Sequence, residues 1–205
     1  MSEWWTYRLS DFLMFSPRTY GRLVEQYNSD MWPAQFLALA AGLVATVLAL
    51  SGRPAGQRVS ALLLGAAWLW VGWAFHLQRY APINWAATYL AAASVVEALL
   101  LAGWAIASGN RSAAGTASAM PGGHRVVGLP FALAGLVVYP LAGVALGRPL
   151  AQVEVFGLMP EPTALVTLGL VMVLPHCTRL QRWMLGLIPL LSLLIGAATQ
   201  WAMAG

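Results

Sequence analysis

Six stretches of the chain stay apolar for close to the 20 residues that carry a helix across the hydrocarbon core of a membrane. They cover about 32–50, 59–78, 85–107, 126–146, 153–178 and 183–202. Residues 1–30 read differently, as two short amphipathic helices. Trp5, Leu9, Phe12 and Leu13 fall on one face of the first. Ser16-Pro17 supplies an N-cap and a first-turn proline for the second, which is lined by Tyr20, Leu23, Val24 and Tyr27. Arg18, Arg22 and Glu25 occupy the face opposite, the pattern of a helix lying in a membrane interface. The expected fold class is all-α: a polytopic membrane protein, with interfacial helices in 1–30 and six transmembrane helices in 31–205. The Gly/Ser/Ala-rich stretch 108–123 reads as a loop between two halves of three spans. That parity suits an inverted repeat, although the halves share no visible sequence similarity.

The fifth stretch is broken a third of the way along by Pro160-Glu161-Pro162. Pro162 suits the first turn of a helix continuing through Thr163 and Leu165. Two readings follow. A helix that stops at Pro175 reaches only ~20 Å of a ~30 Å core, so the break lies below the membrane surface and its helix N-terminus faces a cavity. A helix that runs on to about Leu180 reaches ~27 Å and leaves Met159 to Pro162 in an ordinary outer loop, which is the preferred reading. Glu154 is expected at the surface in both.

Composition agrees with lipid as the main solvent. The 205 residues are 60% hydrophobic and only 9% charged, too few polar side chains to coat a water-exposed surface. All basic residues are arginine, which excludes Schiff-base chemistry on a lysine. The single cysteine, Cys177, leaves no internal disulfide or C-x-x-C relay. The net charge of +4 is scattered over short loops, forming no basic stripe for nucleic acid. The N-terminal M-S-E-W-W-T-Y-R lacks the basic region and apolar run of a cleavable signal peptide. Arg53, Arg58, Arg111, Arg125, Arg179 and Arg182 fall in the loops after spans one, three and five, with no acid among them. Arg8, Arg18, Arg22, Arg79 and Arg148 on the other side are offset by Glu3, Asp11, Glu25, Asp30, Glu154 and Glu161. The expected localisation is therefore the inner (plasma) membrane, multi-pass, with both termini outside.

Small residues at four-residue spacing predict close helix packing: Ala41, Ala45 and Ala49; Gly135 and Gly143 around Tyr139; and Ser192, Gly196 and Gln200. Pro140 and Pro189 sit inside their spans and are expected to kink them. Trp68, Trp70 and Trp73 lie too deep for all three to be interface anchors, and packing against neighbouring helices is expected of them.

Four residues are candidates for a solute or ion path: Glu97, Glu161, Thr163 and His76. Glu97 is the only acid well inside an unbroken span, where a carboxylate costs several kcal/mol unless protonated, paired or wet. It shares a face with Ala93, Leu90 and Ala86, and either carries a proton or cation or donates one interhelical hydrogen bond as a neutral acid. His76, near the outer end of the second span, differs from Glu97 in depth by ~13 Å, so the two are not expected to touch. His124 and His176 belong to loops on the opposite side from His76. No metal site and no cofactor is expected.

The motifs W-x-Y-x-L-x-D-F (Trp5 to Phe12), F-S-P-R-T-Y (Phe15 to Tyr20), Trp32-Pro33-Ala34-Gln35, and Pro160-x-Pro162-Thr163 followed by Thr167-Leu168-Gly169 run through nearly the whole chain. In these the chain resembles small bacterial integral membrane proteins grouped as a domain of unknown function. The resemblance implies a membrane protein and no activity, so no functional residue is carried over from it. Its members often have Cys between the two prolines; Glu161 stands there instead, which removes a thiol–metal role. The function expected first is a small-solute or ion transporter or channel. The alternative is a non-catalytic structural or accessory subunit, held to the bilayer and bound to a second copy or another membrane protein. An intramembrane enzyme ranks below both, because no H-E-x-x-H, paired-aspartate motif or serine with a base is present. No soluble domain is present to bind a nucleotide, so a primary pump acting alone is also excluded.

Overall fold

A computed structural model of the protein describes residues 14–113, 122–174 and 177–204. The first expected amphipathic helix (Trp5, Leu9, Phe12, Leu13), Pro175 and His176 lie outside the described residues, as do the side chains of His124 and Arg125. Seven helices and no strand occupy what is described. They are α1 (Pro17–Asp30), α2 (Ala34–Leu50), α3 (Pro54–Tyr80), α4 (Ala87–Ala113), α5 (residues 122–145), α6 (Pro160–Val173) and α7 (Arg179–Ala204). The chain between Ser108 and Ala113, expected as loop, is the end of α4.

Four helices, α3, α4, α5 and α7, are long and apolar enough to cross a membrane. A fifth is reached when α1 and α2, bent by 86° at their junction, count as one span. The expectation of six spans is thus not met by helix length alone. Helix α2 has 17 residues and α6 only 14, or ~21 Å.

Local chemistry explains the ends. Ser16 caps α1, its Oγ accepting from Thr19 N at 3.2 Å with Pro17 in the first turn. Tyr20, Val24 and Tyr27, spaced by four and three, are buried on one face as the pattern predicts. Helix α3 changes at Val71 to wider π turns that run to Tyr80. One such bond joins Ala81 N to His76 O at 2.8 Å. Helix α5 has a second π segment, Ala134–Val138, just before Pro140. A proline lacks the donor for the preceding turn and crowds the carbonyl four residues back, which opens the ladder there.

Helix α6 is the centre of the bundle. Eleven of its 14 residues are buried, as suits a helix apolar on every side. It packs on α5, α7, α2 and α3. The α5 contact is backbone against backbone: a Cβ on Gly135 would come 2.6 Å from the Pro162 carbonyl oxygen. Ala45 and Ala49 of the α2 ridge are also buried in this core, whereas Gly143 faces only Arg148.

Four expectations are corrected here. The helix of the fifth stretch ends at Val173 and does not run on to Leu180. Leu174 already has the extended ψ of 123°, because the residue before a proline is pushed out of the helical region. The segment before the helix is no outer loop either. Val155, Phe156, Leu158 and Met159 are buried, and so is Glu154, which was expected at the surface. This stretch of non-helical backbone is sustained by side chains from elsewhere. Asn28 Nδ2 donates to Ala151 O and Val153 O, both at 2.9 Å, and Tyr27 Oη donates to Leu158 O at 3.4 Å. Gly157, with φ of +78°, turns the chain toward α6 and donates from its N–H to Thr163 Oγ1 at 2.8 Å. Finally, only Trp68 of the tryptophan trio is buried, while Trp70 and Trp73 pair edge-to-face with each other and are exposed.

Candidate functional site

Glu161 begins the site. It stands in the first turn of α6, where Pro160 and Pro162 have no N–H to offer. Its side chain points across to α7, against the backbone at Gly196. A Cβ there would lie 2.7 Å from Glu161 Cγ and closer still to Oε1, so glycine is what makes room for the carboxyl. Glu161 is 8% exposed, and its Oε2 has no hydrogen-bond partner within the protein.

The π turns of α3 bring His76 to the same place. His76 is 3% exposed, and its Nδ1 also lacks a partner. Glu161 and His76 line one cavity of about 30 Å³, closed by Tyr20, Tyr80, Ser192, Thr199 and Gln200 among others. That volume holds one or two water molecules. Thus two of the four sequence candidates, far apart in the chain, share a chamber.

Thr163 and Glu97 do not join them. Thr163 is buried and used in structure: its Oγ1 donates to Met159 O at 2.6 Å and accepts from Gly157 N. One turn on, Thr167 accepts from Trp68 Nε1 at 3.0 Å and donates to Thr163 O at 2.8 Å, tying α3 to α6. Glu97, on α4, is fully buried, with neither carboxyl oxygen hydrogen-bonded. It lines neither the Glu161 chamber nor the cavities on either side of it.

Two neighbouring cavities share wall residues with the chamber. On one side is a more open cavity of about 240 Å³, lined by Gly21, Val24, Arg148, Gln152 and Glu154, with Tyr20 and Gln200 common to both walls. Here Arg148 Nη1 meets Glu154 Oε1 at 3.2 Å, Arg148 Nη2 donates to Gln200 Oε1 at 2.7 Å, and Tyr139 Oη donates to Glu154 Oε2 at 3.0 Å. The Glu154 carboxylate is thus buried yet neutralised by a half-buried arginine. Burial pushes the Tyr20 hydroxyl well above its ordinary range, and the charge of Glu154 adds to this, so Tyr20 stays a neutral donor in the partition. On the other side a cavity of about 100 Å³ runs between α3, α4 and α7. It shares His76, Leu90, Ser192 and Ile195 with the Glu161 chamber and ends at Trp68, Ala93 and Ser94. Glu97 is one residue short of a helical turn beyond Ser94.

Sequence reasoning missed Tyr20, Arg148, Glu154 and Gln200. Only the α6 break hinted at them, since a break that is buried must bring its flanking chain inside with it. Among the described residues, no three His, Cys, Asp or Glu converge as a metal would require.

No curated protein and no solved structure matches the chain. The model of one family, described as a family of unknown function (DUF6064), matches residues 18–203, nearly the whole chain, and the protein belongs to that family.

Proposed function

We propose that the protein is a multi-pass inner-membrane transporter or channel for a small solute or ion, with its central site in the chamber of Glu161 and His76. The observation that carries this reading is the unpartnered Glu161 carboxyl, buried at the start of a helix of only 14 residues, with a wider cavity on the other side of Tyr20 and Gln200. Half-helices ending at mid-depth are the usual architecture of a transport site, because irregular backbone is tolerated in a membrane only where protein or a cavity surrounds it. The lipid setting is supported by rows of large apolar side chains turned outward, such as Leu37, Leu43 and Val47 on α2, and Leu187, Leu191 and Leu194 on α7. In this reading α2 to α7 make the six passes. The segment 153–159 completes the thickness that α6 leaves, and both termini lie outside.

The accessory-subunit alternative draws less support. Its small-residue faces, needed to receive a partner, are taken up within the chain: Ala45 and Ala49 by the core, Gly135 by α6 and Gly196 by Glu161. The test is a flux panel on the purified chain in liposomes, covering protons, Na⁺, K⁺, ammonium, chloride and small neutral solutes. Flux of at least one species is expected, falling at least tenfold in Glu161→Gln with thermal stability kept. A protein that moves nothing in the panel, and that purifies from native membranes with a stoichiometric partner, would reverse the order of the two readings.

A further inference from the structure

We infer that the corner between α1 and α2 is a binding site for one phospholipid with a primary-ammonium headgroup, the chemistry of phosphatidylethanolamine. The inference takes only the membrane setting from the reading above and does not depend on transport.

The corner is made by the 86° bend between the two helices. With α2 across the bilayer, a helix at that angle lies along the surface, which suits the amphipathic pattern of α1. A cavity of about 1030 Å³ fills the angle, as much room as the larger ligand pockets offer. Its two walls differ in kind. From α1 come Arg22, Glu25 and Ser29, exposed at the spacing of one helical face. From the start of α2 come Trp32 and Phe36, exposed and packed edge-to-face. Beyond Phe36 the exposed side of α2 stays apolar at Leu43 and Val47. A polar wall along the surface thus meets an apolar wall along the bilayer normal. That is the shape of an amphiphile, with its headgroup on α1 and a chain on α2.

A second observation specifies the headgroup. Asn28, which is buried, and Gln35 both line the cavity. The amide nitrogens are already used: Asn28 Nδ2 donates to Ala151 O and Val153 O, and Gln35 Nε2 donates to Asn28 O at 2.7 Å. Those bonds fix which end of each amide is oxygen. Asn28 Oδ1 and Gln35 Oε1 are left as buried acceptors with no partner in the protein. Buried polar atoms are ordinarily satisfied, so the occupant has to bring N–H or O–H donors. Charge narrows the choice. Asp30 is held by Arg79 at 2.8 Å, whereas among the described residues neither Arg22 nor Glu25 is in an ion pair. One carboxylate and one guanidinium on the same wall complement a zwitterion, the ammonium toward Glu25 and the two amide oxygens, the phosphate toward Arg22. A trimethylammonium headgroup has the charges but no N–H, and a glycerol headgroup has donors but no cation.

The test is native mass spectrometry of the full chain in mild detergent, titrated with phosphatidylethanolamine, phosphatidylcholine and phosphatidylglycerol of matched acyl chains. One phosphatidylethanolamine is expected to bind at least tenfold more tightly than either of the others. That preference should fall at least fivefold in Glu25→Gln and in Arg22→Gln, with the melting temperature of the lipid-free protein unchanged. Equal binding of the ethanolamine and choline lipids, or a preference that both variants keep, would overturn the assignment. So would glycerophosphoethanolamine binding as tightly as the whole lipid, since the apolar wall would then contribute nothing. A benzophenone amino acid placed at Phe36 and irradiated in cells identifies the occupant directly. A phospholipid adduct supports the site, and a crosslink to a second copy or to another part of the chain in its place overturns it. Selective lipid binding by a chain that moves nothing would remove the transport reading and leave this site standing. Flux without selective lipid binding would do the reverse.

Discussion

Glu161 and Gly196 show how a site on one helix is made by an absence on another. The carboxyl lies where an alanine methyl on α7 would have to be. Helix propensity alone favours Gly196→Ala by up to ~1 kcal/mol, so any loss of stability isolates the clash. Overpacking of this kind costs about 1–3 kcal/mol. Gly196→Ala is therefore expected to lower the melting temperature in detergent and to abolish flux by displacing the carboxyl. Gly186→Ala, whose added Cβ would meet only Leu168 at an ordinary 3.5 Å, should do neither. Equal behaviour of the two variants would mean that Glu161 does not depend on this contact. Gly196 was legible in the sequence only as one of a row of small residues spaced by four. Its actual partner was not, because the pattern of one helix says which face is small and nothing of what lies against it.

At the scale of elements, the chain from 146 to 159 depends on side chains outside it. Asn28 on α1 satisfies two carbonyls of the extended segment, and Thr163 satisfies the N–H of Gly157. Removing one partner of a buried hydrogen bond leaves the other unsatisfied, at about 1–3 kcal/mol each. Asn28→Ala and Thr163→Val should each lower the detergent melting temperature clearly. Gln26→Ala, on the exposed face of α1, serves as the control and should not. A melting temperature for Asn28→Ala no lower than for Gln26→Ala would show that α1 does not hold the segment in place. The helical periods of α1 to α5 and α7 were readable because the apolar pattern of each continues through its prolines and π turns. The end of α6 turned on a single residue, Leu174, whose backbone the following proline forces out of the helix. Pro140 was equally legible, and it acts through a π segment in the turn before it.

For the molecule as a whole, charge and shape make separate statements. In the orientation proposed above from the arginine distribution, the loops after α2 and α4, with Arg179 and Arg182 at the start of α7, lie inside. With that orientation the wide Arg148–Glu154 cavity opens outside. An alkaline phosphatase fused after Ala204 is then expected to be active in cells, and a green fluorescent protein at the same point dark. The reverse pattern would invert the orientation, with the wide cavity opening to the cytoplasm.

The sequence by itself determined the class of the protein: helices throughout, little charge, apolar stretches of near-membrane length, and a proline-bounded break in one of them. Those are properties of composition and period, and each can be read in a window of about 20 residues. It also singled out Glu97, His76 and Glu161, since ionisable groups in apolar surroundings stand out wherever the chain then runs. Tertiary structure decided which of them meet. His76 and Glu161 share a chamber, Glu97 stands apart from it on α4, and Thr163 serves the backbone. The physical reason is that pairing across a bundle depends on helix rotation, register and ends. π turns run through His76 in α3, and the residue before a proline ends α6.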